Sequence, residues 1–219
     1  MKKYLDILKR TTLFSGISEN DIEIMTNCLG ASVKEFEKGE YIFRQGEYLD
    51  QFFVLLNGCV HIQSIDYWGN RSIISEVKPA ELFGESYAVH GSSAVLTDAV
   101  ATSDSTVAFF NVKKLMSVCP RACSFHSAVI QNLLVALTHK NRSLMQKLTH
   151  ISKRSTREKL ISYLSNEAKL NGCNNFTIPF NRQQLADFLS VDRSAMSNEL
   201  CKMRDEGLLT FDKNNFTLL

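Results

Sequence analysis

No stretch of this 219-residue chain approaches the ~20 consecutive apolar residues of a membrane-spanning helix. The opening, MKKYLDILKRTTLF, starts with lysines but has Asp6, Lys9 and Arg10 inside it. That excludes the apolar core of a signal peptide, and the segment reads as a short amphipathic helix of a cytoplasmic protein. Also missing are a Walker-type glycine loop, a Ser-His-Asp order and a paired-carboxylate motif, so an enzyme is a poor reading. The six cysteines (28, 59, 119, 123, 173 and 201) are scattered, as reduced thiols of a cytoplasmic protein would be. Cys119, Cys123 and His126 fall at i, i+4 and i+7, so one helix face could carry all three and hold a metal or sense oxidants. Two small side chains at a helix start beside one polar histidine is the plainer reading, and no metal site is expected. The remaining histidines are isolated.

The net charge of +2 is too small to decide anything, but its distribution is uneven. Residues 140–219 hold 13 of the 25 Lys and Arg and only 8 of the 23 Asp and Glu, a net of +5, against −3 for residues 1–139. A basic C-terminal part is what phosphate binding needs. The length suits two domains, and 44% hydrophobic residues supply two cores.

Residues 5 to 30 read as helical, with Ser18 and Asp21 as a helix start. From about Ala31 to Asn111 the pattern changes to short strands: Val33–Phe36, Tyr41–Arg44, Phe52–Leu56, Cys59–Ile65, Ser72–Val77 and Thr106–Phe110. Turns fall at Gly39, Gly46, Gly58, Gly69 and Pro79, which predicts a sandwich or jelly roll. Val112–Val118 reads as a short helix, and Pro120 suits the first position of a long one. There Phe125, Val129, Leu133, Leu137, Leu144, Leu148 and Ile151 recur at three-, four- or seven-residue steps, the spacing of a coiled-coil seam. A helix packed on its own domain gives part of the same pattern. Lys140 or Asn141 would interrupt the seam. Ser152–Ser155 is a polar hinge, Thr156–Leu170 a helix, and Phe176–Phe180 an edge strand.

Asn181 to Leu209 parses as two short helices and a tight turn. Asn181 and Gln184 form a capping-box pattern, followed by Leu185, Phe188 and Leu189 at helical spacing. Ser190-Val191-Asp192 is the turn, with Asp192 as cap of the second helix. Met196, Leu200 and Met203 form that helix's apolar stripe, and Gly207 ends it. Its other face shows Arg193, Ser194, Ser197, Asn198 and Lys202. Arg and Asn read guanine and adenine edges bidentately, and a helix-turn-helix places such residues in the major groove. A solvated face on a helical hairpin is the bland alternative. Leu208–Phe211 and Phe216–Leu219 then form a hairpin, the wing of a winged helix.

The run RQQLADFLSVDRSAMSNEL followed by MRDEGLL closely resembles the recognition unit of the cAMP receptor protein/fumarate-nitrate regulator (Crp/Fnr) family. The glycine order Phe36-x-x-Gly39-x-x-Ile42-x-x-x-Gly46, then Phe53-x-x-x-x-Gly58-x-Val60, resembles the cyclic-nucleotide-binding β-roll. The resemblance implies a bacterial, homodimeric transcription regulator on a palindromic double-stranded operator, with RNA polymerase as a candidate partner. It adds Arg182 and Gln183 to the DNA-facing set and puts the dimer axis along the long helix. Some relatives carry an N-terminal cysteine cluster for an iron–sulfur centre; this chain has no cysteine before Cys28.

The family's phosphate cassette runs Phe-Gly-Glu, then about ten residues on an Arg followed by Ser or Thr. Phe83-Gly84-Glu85-Ser86 is present, and by resemblance Glu85 would hold a ribose hydroxyl. The Arg-Ser position is Val95-Leu96, and no Arg occurs between Arg71 and Arg121. A buried phosphate without a charge partner costs several kcal/mol. cAMP or cGMP is therefore not expected as effector; the alternatives are a neutral or largely apolar small molecule, one whose charge finds another partner, or an empty pocket in a constitutively active protein. The expected architecture is α+β: an N-terminal double-stranded β-helix (residues 1–118), a dimerisation helix (119–151) and a C-terminal winged helix-turn-helix (152–219). The rival is a ligand-binding β-roll protein that has lost operator binding, which a gel shift on the protein's own upstream DNA separates.

Overall fold

A computed structural model describes residues 1–117 and 124–219 of the chain. Two compact units form: residues 1–70 with 74–140, and residues 71–73 with 141–219.

The first unit opens with α1 (Leu5–Lys9) and α2 (Glu19–Cys28). Ser18 caps α2 by accepting from the Asp21 N–H at 3.3 Å. The strands follow: β1 (Ser32–Phe36), β2 (Tyr41–Phe43), β3 (Gln51–Asn57), β4 (Val60–Ile65), β5 (Arg71–Val77) and β6 (Leu82–Phe83). After α3 (Glu85–His90) come β7 (Asp98–Ala101), β8 (Ser105–Asn111) and α4 (Val112–Met116). The strands make two four-stranded sheets, ordered β1-β8-β3-β6 and β2-β7-β4-β5. This is the expected double-stranded β-helix. β6, β7 and α3 are elements that the strand pattern does not reveal.

Strand β3 reads FFVLL because both of its faces are buried, where a half-exposed strand would alternate. Phe53 and Leu55 point between the sheets, joined by Phe43, Val60, Val77, Phe83, Val95, Val107 and Phe109. Phe52, Val54 and Leu56 point the other way, onto a core shared with Leu8, Phe14, Ile22, Met25 and Leu115 of the helical segments. Strand β8 does the same in antiparallel register, so Phe52 faces Phe110 and Phe53 faces Phe109. Their ring centroids lie 5.4 and 4.9 Å apart. Gly58, at φ +95°, lies so close to the backbone of Asp104 that a Cβ there would meet its carbonyl oxygen at 2.5 Å. The corner is architectural, as the glycine pattern predicts.

The long helix α5 spans Ser124–Ile151, and the first unit includes it through Lys140. Val118 to Cys123, with the expected Pro120 start and the Cys119/Cys123 pair, lie outside the described residues. The third member of that trio, His126, places its Nε2 2.6 Å from the Leu115 carbonyl oxygen. The residues of the expected seam divide between covered and exposed positions. Val129 and Leu133 are 0% and 4% exposed, and Phe125 and Leu137 pack against the same core. These four cover their own β-roll. Asn132 fastens the helix further by donating to the carbonyls of Leu13 and Ser15 at 3.0 and 2.9 Å.

The second unit contains α6 (Thr156–Asn171), β9 (Asn175–Thr177), α7 (Arg182–Leu189), α8 (Arg193–Asp205), β10 (Leu209–Asp212) and β11 (Asn215–Leu218). Its sheet is ordered β10-β11-β9, with β9 on the edge and Pro179 beyond the strand. Leu160 and Leu164 of α6, Leu185 and Leu189 of α7, and Met196, Leu200 and Met203 of α8 close one core with Phe176, Leu209 and Phe216. No helix among the described residues is long and apolar enough to cross a membrane.

Candidate nucleic-acid interface and effector cassette

Local chemistry fixes α7 and α8. The Asn181 side chain accepts from the Gln184 N–H at 2.9 Å, and the Gln184 side chain accepts from the Asn181 N–H at 2.8 Å, a closed capping box. Ser190 ends α7 at φ +52°, in the left-handed region. Lys159 of α6 holds that corner by donating to the Leu189 and Ser190 carbonyls at 3.2 and 3.1 Å. A cation at a helix C-terminus offsets its exposed carbonyl dipoles. Asp192 then caps α8, accepting from the Ala195 N–H at 2.8 Å and the Ser194 hydroxyl at 2.5 Å. The Ser194 hydroxyl, first of these causes, holds the Asp192 carboxyl below the usual range. Arg157 of α6 reaches Glu199 of α8 at 3.2 Å and also pairs with Glu206 just beyond it.

Met196, Leu200 and Met203 face inward, so the opposite face of α8 is left outside. Arg193, Ser194, Asn198 and Lys202 are exposed and Ser197 is half-buried. The Ser197 hydroxyl donates to the Arg193 carbonyl at 2.9 Å, which commits its proton and leaves the oxygen an acceptor. Of the two residues expected on α7, Gln183 is exposed and donates to Asp187 at 2.8 Å. Arg182 is half-buried instead. Its guanidinium stands over the rings of Phe211 and Phe216, 4.7 and 5.0 Å from their centroids, and burial pushes its pKa down. Such stacking braces the wing against α7.

The cassette residues all lie in the first unit. Phe83 is 1% exposed and stacks with Phe53 and Phe43 at 5.1 and 6.3 Å. Gly84 caps α3 at φ +75°, and a Cβ there would meet the Phe53 ring at 2.7 Å. Its need for glycine therefore follows from ring packing. Ser86 and Leu96 are exposed. Val95 is 1% exposed in the apolar core between the sheets, and its backbone pairs with Gly46 and Glu47 at 2.8 Å each.

Glu85 is buried, 1% exposed. Both its carboxylate oxygens accept from Nζ of Lys140 on α5, at 2.8 Å each. The resemblance implies a ribose partner for this carboxylate; the fold provides a lysine. Lys140 is thus withdrawn from the seam where the sequence pattern puts it. The residues are 55 apart in sequence, and nothing local to either foretells the pair.

A capped winged helix-turn-helix with a polar, cationic face on its second helix, in one chain with a β-roll unit, defines a DNA-binding transcription regulator. The model of the cyclic nucleotide-binding domain matches residues 33–121, and that of the Crp-like helix-turn-helix domain matches residues 158–219. The chain belongs to the Crp/Fnr family of transcription regulators. It is 22% identical over 192 residues to the transcriptional activator protein FnrA of Stutzerimonas stutzeri, covering 85% of this chain and 76% of that one. Among solved structures it resembles FixK2 of Bradyrhizobium japonicum, with TM-score 0.66 and 18% identity, covering 86% of this chain and 92% of that one. It also resembles CLP, a c-di-GMP-responsive global regulator of Xanthomonas campestris, with TM-score 0.74 and 14% identity, covering 90% and 98%.

Proposed function

We propose that this chain works in the cytoplasm as a homodimer that lays α8 in the major groove of each half of a palindromic operator, without enzymatic activity. The observation that carries the reading is the outward face of α8. Arg193, Ser194, Asn198 and Lys202 are exposed on a helix whose start is fixed by the Asp192 cap and the Lys159-held corner. A rigid start matters because the first turns of the second helix meet base edges. Arg193 is the principal base reader, Ser197 and Asn198 lie beside it, and Lys202 meets phosphate. Arg182 acts through the wing it braces. RNA polymerase is the partner such a regulator would engage.

Arg193→Ala should cost about 1–3 kcal/mol of specific binding and flatten base preference at one position in each half-site. Fluorescence anisotropy on operator and scrambled duplexes checks this. Unchanged affinity and sequence preference would sink the assignment.

The effector is a ligand other than cAMP or cGMP. Two features support this: an apolar Val95 buried where an arginine would meet phosphate, and a Glu85 carboxylate already taken by Lys140. A relative of the same fold that responds to c-di-GMP indicates that the fold does not commit a chain to cAMP. Calorimetric titration with cAMP or cGMP at millimolar levels should give no binding heat, and neither nucleotide should shift the Tm. A ligand at free concentration L that binds only the folded form raises stability by RT ln(1 + L/Kd), so the Tm would register it. Micromolar binding of either nucleotide overturns this reading.

A further inference from the structure

We propose that Cys59, His61 and Glu76 form a binding site for a divalent transition-metal ion of the Zn(II) type, on the sheet where β4 and β5 are neighbours. The sequence does not point to this site because its donors are spread over Cys59, just before β4, His61 on β4 and Glu76 on β5. The fold brings one donor atom from each within 4.8 Å of the others. The His61 Nε2 already lies 3.5 Å from a Glu76 carboxylate oxygen. Donors held about 2.0–2.3 Å from a tetrahedral zinc sit roughly 3.3–3.8 Å from one another, so that pair has the right spacing and the sulfur needs to close by only about an ångström.

The cluster is built rather than incidental. His61 is 3% exposed and the Glu76 side chain 10%. Cys59 stands two residues before His61, at the entry to β4. The Cys59 backbone is pinned: its N–H donates to the Ser105 hydroxyl at 3.2 Å, and its carbonyl accepts from the Thr102 N–H at 2.8 Å. The tight Gly58 corner precedes it. A histidine–carboxylate pair needs no thiol to be satisfied, yet the Cys59 sulfur converges on the same point. Burial pushes the Cys59 thiol pKa up, with the Glu76 carboxylate a smaller cause in the same direction. Sulfur, imidazole and carboxylate together suit Zn(II), Co(II) or Fe(II) rather than Mg(II) or Ca(II). Cys59 is half-buried, and water would complete the tetrahedron. Binding would displace the thiol proton to the solvent as the thiolate–metal bond forms. The proposal stands apart from the operator and effector readings.

The test uses the full chain, stripped with chelator and titrated anaerobically with Co(II). One equivalent per chain should give thiolate-to-cobalt charge-transfer absorption and tetrahedral d–d bands, and Zn(II) should displace both. C59S should abolish the charge-transfer absorption. H61Q and E76Q should each weaken binding more than about 100-fold, beyond the loss typical of outer-shell partners. C201S, at an exposed cysteine, should change nothing. Circular dichroism shows that each variant is folded, and E76Q, which keeps the side-chain shape, serves if H61Q is not. Absence of a charge-transfer band in the native chain, or a band that survives C59S, overturns the proposal.

Discussion

Glutamate at both Leu134 and Leu148 should turn the protein into a monomer and weaken operator binding by about 10²–10⁴-fold, the range that linkage of two binding modules supplies. The expectation follows from which apolar residues α5 leaves outside. Leu134 is 58% exposed, Met145 59% and Leu148 55%, on a helix whose other apolar stripe is almost fully covered. Leu134, Thr138, Asn141, Met145 and Leu148 are all exposed and follow steps of four, three, four and three, an unbroken heptad seam. Val135 and Leu144 flank it. Asn141 is the polar member that sets register in such seams. A two-fold axis along this stripe would place each introduced glutamate against its own copy. Two recognition helices must lie about 34 Å apart to enter successive major grooves, so a monomer has only one half-site to hold. Sedimentation velocity and anisotropy read the two effects separately. A double variant that remains dimeric would move the interface off α5. Leu133→Ala provides the contrast: it should remove about 2–5 kcal/mol of stability from the β-roll and leave the seam intact.

The way the seam shifts shows what periodicity can tell. Phe125, Val129, Leu133 and Leu137 do form an apolar stripe, and it is buried, but by their own β3 and β8 layer and the N-terminal helices. A 3.6-residue repeat identifies a face to be covered and carries no information on what covers it. Leu144 and Leu148 remain exposed, so the expected seam joins two faces of one helix. The helix-turn-helix was legible almost to the residue. Its determinants are local: Asn181 with Gln184, Asp192 with Ala195, and the Met196/Leu200/Met203 stripe all lie within a few residues. Strand β7, Asp98-Ala-Val-Ala, was hidden because alanines carry no strand signal; its pairing with β2 and β4 makes it a strand. The loss of the cassette arginine was readable at Val95. The partner of Glu85 was not, because Lys140 reaches it only once α5 packs on the roll.

That pair carries the second large effect. Lys140→Met should cost about 3 kcal/mol, near the lower end for breaking a buried ion pair because the lysine side chain is 38% exposed while the glutamate is 2%. In a unit of this size the loss corresponds to a Tm lower by roughly 10 °C. The cost arises from the partner left behind. Methionine covers the same apolar surface as the lysine stem but offers no donor, so the buried Glu85 carboxylate loses the donor that meets both of its oxygens. Glu85→Gln/Lys140→Met, which removes both charges, should recover most of the stability, since a buried ion pair and a well-packed neutral pair often differ little. The double-mutant cycle therefore predicts a coupling well above the ~0.5 kcal/mol within which independent sites add. A Tm for Lys140→Met within a degree of the native value would mean that Glu85 finds another donor, and that the apolar stripe and the Asn132 hydrogen bonds hold the long helix without this pair. If instead the single variant falls and the double recovers, the carboxylate that the cassette motif offers to a ribose is committed to the fold, and a nucleotide would have to displace a lysine to use it.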